Sequence, residues 1–432
     1  MRLWLCFAIA IGLLATEVPS PATAASQRGC APAGELHFIC GPHHPEDLVL
    51  IPGTQWIIVS GMGGALPGSP PGPGDLYLLN AATKRWHSIA RASLAAVRRN
   101  RLYRKCPAPD PAQFISHGLA LRVGGHGRHT LYAINHGGRE SVEIFDIDAR
   151  GAEPRLSWAG CAVLSASAWL NAVVPLPGAG FIVTSTFDPK DPEAQSKMSN
   201  GQYAGAVYEW QPGRGFAPLA GADHTGDNGV AISPDGRWLY FNWFFGRKVV
   251  RVAREGDAAP ATAVLDFLPD NIDYAPDGNL YVTGQNADPK QLLHDCAGGT
   301  CRHGTTIVKL DPVTMSTRVV ARLEPNPTFS DGTTALQVGD TLFLGSYRGD
   351  AVAYMKVQQN EQQRASCIIT GACNQPGRPA PPPPPDVWGA LAVSASTLSW
   401  GASWTPTRKD AAAPASHPYA APTGQTGGPS KR

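Results

Sequence analysis

Alternation of apolar and polar positions dominates this chain, and it comes in a recurring phrase. A polar residue leads into a short apolar strand, a tight turn follows, and a second alternating strand completes the hairpin. The phrase opens at Glu46 (EDLVLIPGTQWIIVSG), His117 (HGLALRVGGHGRHTLYAINH), Asn171 (NAVVPLPGAGFIVTST), Asn228 (NGVAISPDGRWLYFNW), Asn271 (NIDYAPDGNLYVTG) and Asp331 (DGTTALQVGDTLFLGSY). Segments such as TLYAI, VEIFDI, WLYFNW and LYVTG combine period-two alternation with β-branched and aromatic content, which predicts strands. The tetrads at 233–236 (SPDG) and 275–278 (APDG) predict hairpin turns. Repeats of roughly 40–50 residues built from strands and turns predict a β-propeller, here an all-β, six-bladed one. An α/β sheet would need helical crossovers, and the gaps between phrases do not supply them.

The first interval, 71 residues from Glu46 to His117, is the longest because it holds a basic, helix-compatible insertion around residues 90–104. Before the first phrase, LHFI at 36–39 is a strand candidate for the outer edge of the last blade. The first 24 residues read as a signal peptide: Arg2, an apolar run from Leu3 to Ala15, then Ala22-Thr23-Ala24 as a small-x-small cleavage site. The apolar run is short for a bilayer span, and no later segment is longer. The propeller is expected over 30–373. Residues 374–432, opened by the prolines at 381–385, are too poor in apolar surface to order themselves and predict a disordered tail. The expectation is an exported protein without a transmembrane segment.

Export makes the cysteines informative. Eight follow the signal: Cys30, Cys40, Cys106, Cys161, Cys296, Cys301, Cys367 and Cys373. The even number predicts disulfides whose connectivity the sequence leaves open. Cys296 with Cys301 and Cys367 with Cys373 are close enough for local loops, and Cys30 and Cys40 either pair with each other or clasp the ring. A net charge of +2 favours no polyanionic or nucleic-acid partner, and the cluster Arg98, Arg99, Arg101, Arg104, Lys105 reads as a solvated insertion.

If the phrases are blades, their opening residues converge on one central channel. Carboxylates packed so closely are costly unless protonated or met by a cation. Carboxylate and amide oxygens without thiolates are the donor set of calcium, whereas magnesium keeps more water and zinc prefers His or Cys. Single Asn or Asp residues before a strand are common turn residues, so the case rests on the set. His117 opens its phrase and His136 ends it, so antiparallel neighbours bring two imidazoles together, either as a base near a metal or as polar fillers. His43 and His44 lie near the rim, and His126, His129, His294 and His303 fall in turn-rich, exposed-looking stretches. Trp169, Trp243, Phe244 and Phe245 either line a lipophilic mouth or pack between blades. No Gly-x-Ser-x-Gly elbow, His-Glu-x-x-His or phosphate loop competes.

The ordered phrases resemble the calcium-dependent six-bladed propellers of the paraoxonase/arylesterase and gluconolactonase (SMP-30-like) superfamily over residues 36–356. PEDLVLIPGTQWIIVSG, SHGLAL with LYAINHGGRESVEIFDID, NGVAISPDGRWLYF and LPDNIDYAPDGNLYVTG carry the likeness. The resemblance implies a catalytic calcium held by Glu46, Asn171, Asn228, Asp270 and Asn271, with His117 and His136 as a catalytic dyad, and it removes Asp331 from the metal. It also implies a structural calcium near Asp47 and the Leu119 carbonyl, but Ala172 stands where a third ligand is required, which leaves that second ion unsupported. The implied activity is hydrolysis of a small-molecule lactone or aryl ester. A non-catalytic, calcium-braced binding module is the alternative, because fold alone does not decide function.

Overall fold

The structure, a computed structural model, describes residues 30–64, 74–103, 106–222, 225–295 and 301–357. The predicted signal peptide and tail, together with Cys296, Cys367 and Cys373, lie outside the described residues.

Six four-stranded antiparallel sheets form the blades of a propeller. Their inner strands are Leu48–Leu50, Ser116–Arg122, Leu170–Pro175, Val230–Ile232, Leu268–Tyr274 and Gly332–Val338. Each is followed by a second strand that returns antiparallel: Trp56–Gly61, Arg128–Asn135, Phe181–Ser185, Trp238–Trp243, Leu280–Gln285 and Thr341–Ser346. The SPDG and APDG tetrads connect the first two strands of blades four and five, with Gly236 and Gly278 at positive φ. That backbone region suits glycine, which has no Cβ to clash.

Blade six takes its outer strand from the other end of the described chain. His37–Cys40 pairs antiparallel with Ala351–Lys356, Phe38 facing Ala353. This closes the ring, so no blade is left to slide away from its neighbour. Cys30 and Cys40 are disulfide-bonded to each other, which fixes the end of that strand. A second disulfide joins Cys106 to Cys161 and ties the insertion after blade one to the outer strand of blade two. Cys301 is also disulfide-bonded. The insertion contains a short helix, Ala90–Ala95, that buries Leu94 among Trp158, Phe114 and Phe145. Apolar clusters fill the spaces between consecutive blades; Phe181, Tyr132 and Leu170, for example, pack blade two on blade three.

The pairing of inner strands is interrupted at the same place in blade after blade. The register shifts between Ser116 and Leu119, Leu170 and Val173, Pro269 and Ile272, and Gly332 and Ala335. Each shift frees two residues from the ladder, and a bulge of this kind re-aims side chains. In blades one and four the ladder starts at Leu48 and Val230, directly after the corresponding pairs. The first residues of these pairs are Glu46, His117, Asn171, Asn228, Asp270 and Thr333. The second are Asp47, Gly118, Ala172, Gly229, Asn271 and Thr334. Thr333, not Asp331, is therefore the blade-six counterpart of the openings Glu46, His117, Asn171 and Asn228, and in blade five the same place falls to Asp270, one residue before the opening Asn271. Asp331 lies two residues earlier, at φ 51°.

The bulged pairs are also where blades approach most closely. A Cβ at Gly118 would stand 2.3 Å from the Asn171 carbonyl oxygen, and one at Gly229 2.5 Å from that of Asp270. Side chains from the second strands of blades three and four, and from the inner strand of blade six, latch the backbone of the next blade at this level. Thr184 donates to Asn228 O at 2.6 Å, Asn242 to Asp270 O at 2.7 Å, and Thr333 of blade six to Glu46 O at 2.5 Å. The carriers of the site are thus pinned by their main chains.

Candidate active site

The structure buries Glu46, Asn171, Asn228, Asp270 and Asn271 together at the mouth end of the inner strands. Asn271 Nδ2 donates to Glu46 Oε1 at 2.7 Å, linking blades five and one. Gln285 Nε2 donates to Asp270 Oδ2 at 2.7 Å, and the Asn228 side chain also hydrogen-bonds Asp270. What remains unpaired is informative. Glu46 Oε2, Asn171 Oδ1 and Asn228 Oδ1 are sealed from solvent and have no hydrogen-bond partner. Leaving a buried acceptor unsatisfied costs about 1–3 kcal/mol, and three of the five residues carry such an oxygen at the same inner-strand position of their blades.

The charges point the same way. Burial, followed by the neighbouring Asp47 and Asp270, pushes the Glu46 carboxyl well above the usual carboxylate range. Burial raises Asp270 to about 7, against the hydrogen bonds from Gln285 and Asn228. Among the described residues no group of three or more His, Cys, Asp or Glu side chains is placed to hold a metal. The donor set here is different: two carboxylates and three amides, all buried and all bearing side-chain oxygens. It fits a hard cation of calcium's type.

Asp47 and Leu119 meet, but as an acceptor and an N–H. Asp47 Oδ2 takes the Leu119 amide at 2.7 Å and Oδ1 that of Leu48 at 2.8 Å. Ala172, at the position where the resemblance requires another ligand, is buried and offers no side-chain oxygen.

The two histidines come together as expected. His117 Nδ1 lies 2.8 Å from His136 Nε2, and His136 Nδ1 lies 2.8 Å from Glu140 Oε1. Glu140 Oε2 is held in turn by the Leu170 amide at 3.0 Å, beside Asn171. An ionised carboxylate only accepts, so His136 carries its proton on Nδ1 and accepts at Nε2. His117 then donates from Nδ1, which leaves its Nε2 lone pair free on the side of Glu46, whose Oε2 is 3.7 Å away. Burial, then the second imidazole, holds the His117 pKa well below the ordinary histidine value, with a backbone hydrogen bond at Leu170 working the other way. His117 is a neutral imidazole at neutral pH. The Trp169 indole stacks on His136 with centroids 4.3 Å apart and continues to Phe187 at 5.9 Å.

Several participants were not visible in the sequence. Glu140 orients the dyad from a connecting loop outside any repeat position. Asp227, fully buried next to Asn228, accepts the Phe244 amide at 2.9 Å on Oδ1, has no partner on Oδ2, and is raised by burial to about 7. Asp273 faces Thr334 and is raised by burial to about 6. Two expectations are corrected. His129 and His303 are buried, not exposed: a hairpin turn covers the first, and Asp331 binds the second at 2.6 Å. The aromatic residues divide between the two readings. Phe244 and Phe245 are buried with Met198, Leu268 and Ala287, whereas Trp169 lies directly on the dyad.

No family model matches the chain, and no curated protein matches it significantly in sequence. Solved structures are similar to it at low identity and with TM-scores below 0.5. A gluconolactonase from Xanthomonas campestris is 16% identical, with 75% of this chain and 89% of that chain covered and a TM-score of 0.44. A luciferin-regenerating enzyme is 12% identical over 74% of this chain and 94% of its own, with a TM-score of 0.45. A chain of a nidogen–laminin complex is 12% identical over 70% and 89%, with a TM-score of 0.41. Another is described as a putative gluconolactonase, 13% identical over 75% of this chain and 93% of its own, with a TM-score of 0.44.

Proposed function

We propose that the protein is an exported hydrolase of lactones or aryl esters, with one calcium held by Glu46, Asn171, Asn228, Asp270 and Asn271. The observation that carries the metal is that three of these five residues, at the same inner-strand position of three blades, each hold a sealed oxygen without a hydrogen-bond partner. When bound, calcium supplies a Lewis acid that polarises an ester carbonyl and stabilises the oxyanion that develops.

The rest falls to the chain's own side chains. His117 Nε2 accepts a proton from the attacking water. Its Nδ1 proton passes toward His136 Nε2, and Glu140 holds His136 in the tautomer that can receive it. Trp169 stacks on His136, limits its rotation and keeps bulk water from that side. The low pKa of His117 keeps the base unprotonated at neutral pH, at the cost of a weaker base.

Export is supported by the disulfides, which persist in oxidising compartments. Among the described residues no helix is long and apolar enough to cross a membrane.

Replacement of His117 by Gln tests the assignment. Turnover of phenyl acetate should fall by about 10²–10⁴-fold while calcium, measured by metal analysis of the purified variant, stays bound. Undiminished turnover would reduce the dyad to filler.

A further inference from the structure

On the blade-six side of the mouth stands a polar cluster that the proposed hydrolysis does not use. Asp331, fully buried and at positive φ, receives His303 Nδ1 at 2.6 Å and the Tyr347 hydroxyl at 3.4 Å on Oδ1. Its Oδ2 lies 3.6 Å from Arg348 Nε. Arg348 Nε also donates to Tyr347 Oη at 3.1 Å, and the guanidinium lies 5.0 Å from the Tyr347 ring centroid. One edge of the guanidinium is therefore fixed from two sides. Its terminal Nη1 and Nη2 have no hydrogen-bond partner among the described residues, and the side chain is 16% exposed.

The cluster is joined to the oxygen set on both flanks. Gln285 Nε2 bridges Asp270 Oδ2 at 2.7 Å and the carbonyl of Gly332, the residue after Asp331, at 3.0 Å. Ser346, the residue before Tyr347, donates its amide to Pro45 O at 2.8 Å, next to Glu46. The segments that carry Asp331, Tyr347 and Arg348 are thus tied to those that carry Asp270 and Glu46. Burial and then Asp331 hold the Tyr347 hydroxyl in its protonated form, with Asp270 adding to the effect. That hydroxyl stays a neutral brace.

A guanidinium presents paired N–H groups in a plane that matches a carboxylate bidentately. Here the inner edge is occupied and the outer edge is open, so little ordering remains to be done when an anion docks. A wholly apolar substrate covering this edge would strip its water and return no hydrogen bond, which disfavours it.

We propose that Arg348, braced by Asp331 and Tyr347, determines specificity at the channel mouth by binding a carboxylate carried by the substrate away from its scissile ester. The substrates are then monoanionic lactones or esters. This rests on the hydrolase reading, and the test separates the two.

The calcium-loaded protein is titrated by calorimetry with monomethyl adipate and with dimethyl adipate, which differ in one carboxylate. In parallel, turnover of mono-para-nitrophenyl adipate is compared with that of its methyl ester. The parent should favour the monoanion by about 10–100-fold in both measurements. Arg348→Met should erase the preference, and Arg348→Lys, which keeps the charge without the fork, should retain only part of it. Equal binding of the two adipates by the parent, or a preference that survives in Arg348→Met, overturns the proposal. If neither aryl ester is hydrolysed, the hydrolase reading fails, and the binding titration still decides the role of Arg348.

Discussion

Asn271 donates to Glu46 Oε1 at 2.7 Å, a bond between blades five and one that engages one oxygen of the carboxylate and leaves Oε2 without a partner. The arrangement makes Glu46 both a brace and an open ligand. Glu46→Ala should weaken calcium binding by about a hundredfold or more, since affinity follows the number of charged ligands. Calorimetry on the chelator-treated variant measures this, and circular dichroism checks that the propeller is intact. Tight, unchanged binding would place the ion elsewhere.

The buried carboxyls give the metal-free protein an unusual dependence on pH. A group whose pKa is raised on folding stabilises fully below its unfolded value, about 4 for these carboxyls, and that contribution is lost as pH rises through the folded value. The folded values are about 6 for Asp273 and about 7 for Asp227 and Asp270, with Glu46 and Asp47 also raised well above their usual range. His117, lowered on folding, acts oppositely: its contribution is present above about 6.5 and is lost as pH falls through its folded value. Five carboxyls outweigh one imidazole. The calcium-free protein should lose thermal stability between about pH 4 and pH 7, and saturating calcium should reduce the loss by meeting the charges of Glu46 and Asp270. A calcium-free melting temperature that climbs across this window would contradict the assignment.

Glu140 holds His136 Nδ1 and the Leu170 amide at once. Glu140→Gln should reduce turnover by about tenfold or more, because the amide can present its NH₂ to His136 and favour the wrong tautomer. Calcium affinity should be unaffected, as Glu140 is not among the converging oxygens. Full activity in this variant would mean that the tautomer is fixed by other contacts.

Cys106 and Cys161 close a loop with a sequence separation of 55. Loop-closure entropy assigns a crosslink of this length about 4 kcal/mol. The double replacement by Ser should therefore lower the melting temperature markedly, and calorimetric unfolding reads it directly. An unchanged melting temperature would show that the helix and Trp158 contacts alone hold the insertion.

The six-bladed ring was legible because alternation, turn tetrads and phrase spacing all respond to the same sheet geometry. The strand at 36–39 was legible too, since an apolar stretch before blade one has an open edge to cover in blade six. Five of the six channel positions were also readable. Asp331 was not, because DG at 331–332 mimics the NG at 228–229 while the bulge, visible only in the register, selects Thr333. Glu140 and Asp227 escaped for a different reason. Their roles depend on a loop and a neighbouring blade that meet only in three dimensions. The burial of His129 and His303 escaped for the same cause: a polar, turn-rich segment resembles an exposed one until its partners are placed. Of the site, the oxygen donors were recognisable as a set, whereas the Arg348 fork has no counterpart in the repeats.

Calcium-dependent turnover tests the central claim most directly. Hydrolysis of phenyl acetate and of a simple lactone is measured with bound calcium, after chelation, and after calcium is restored. Turnover should disappear with the metal and return with it. Turnover that persists unimpaired in the metal-free protein would contradict the claim, and a stable calcium complex that hydrolyses neither substrate would leave a calcium-braced binding module in its place.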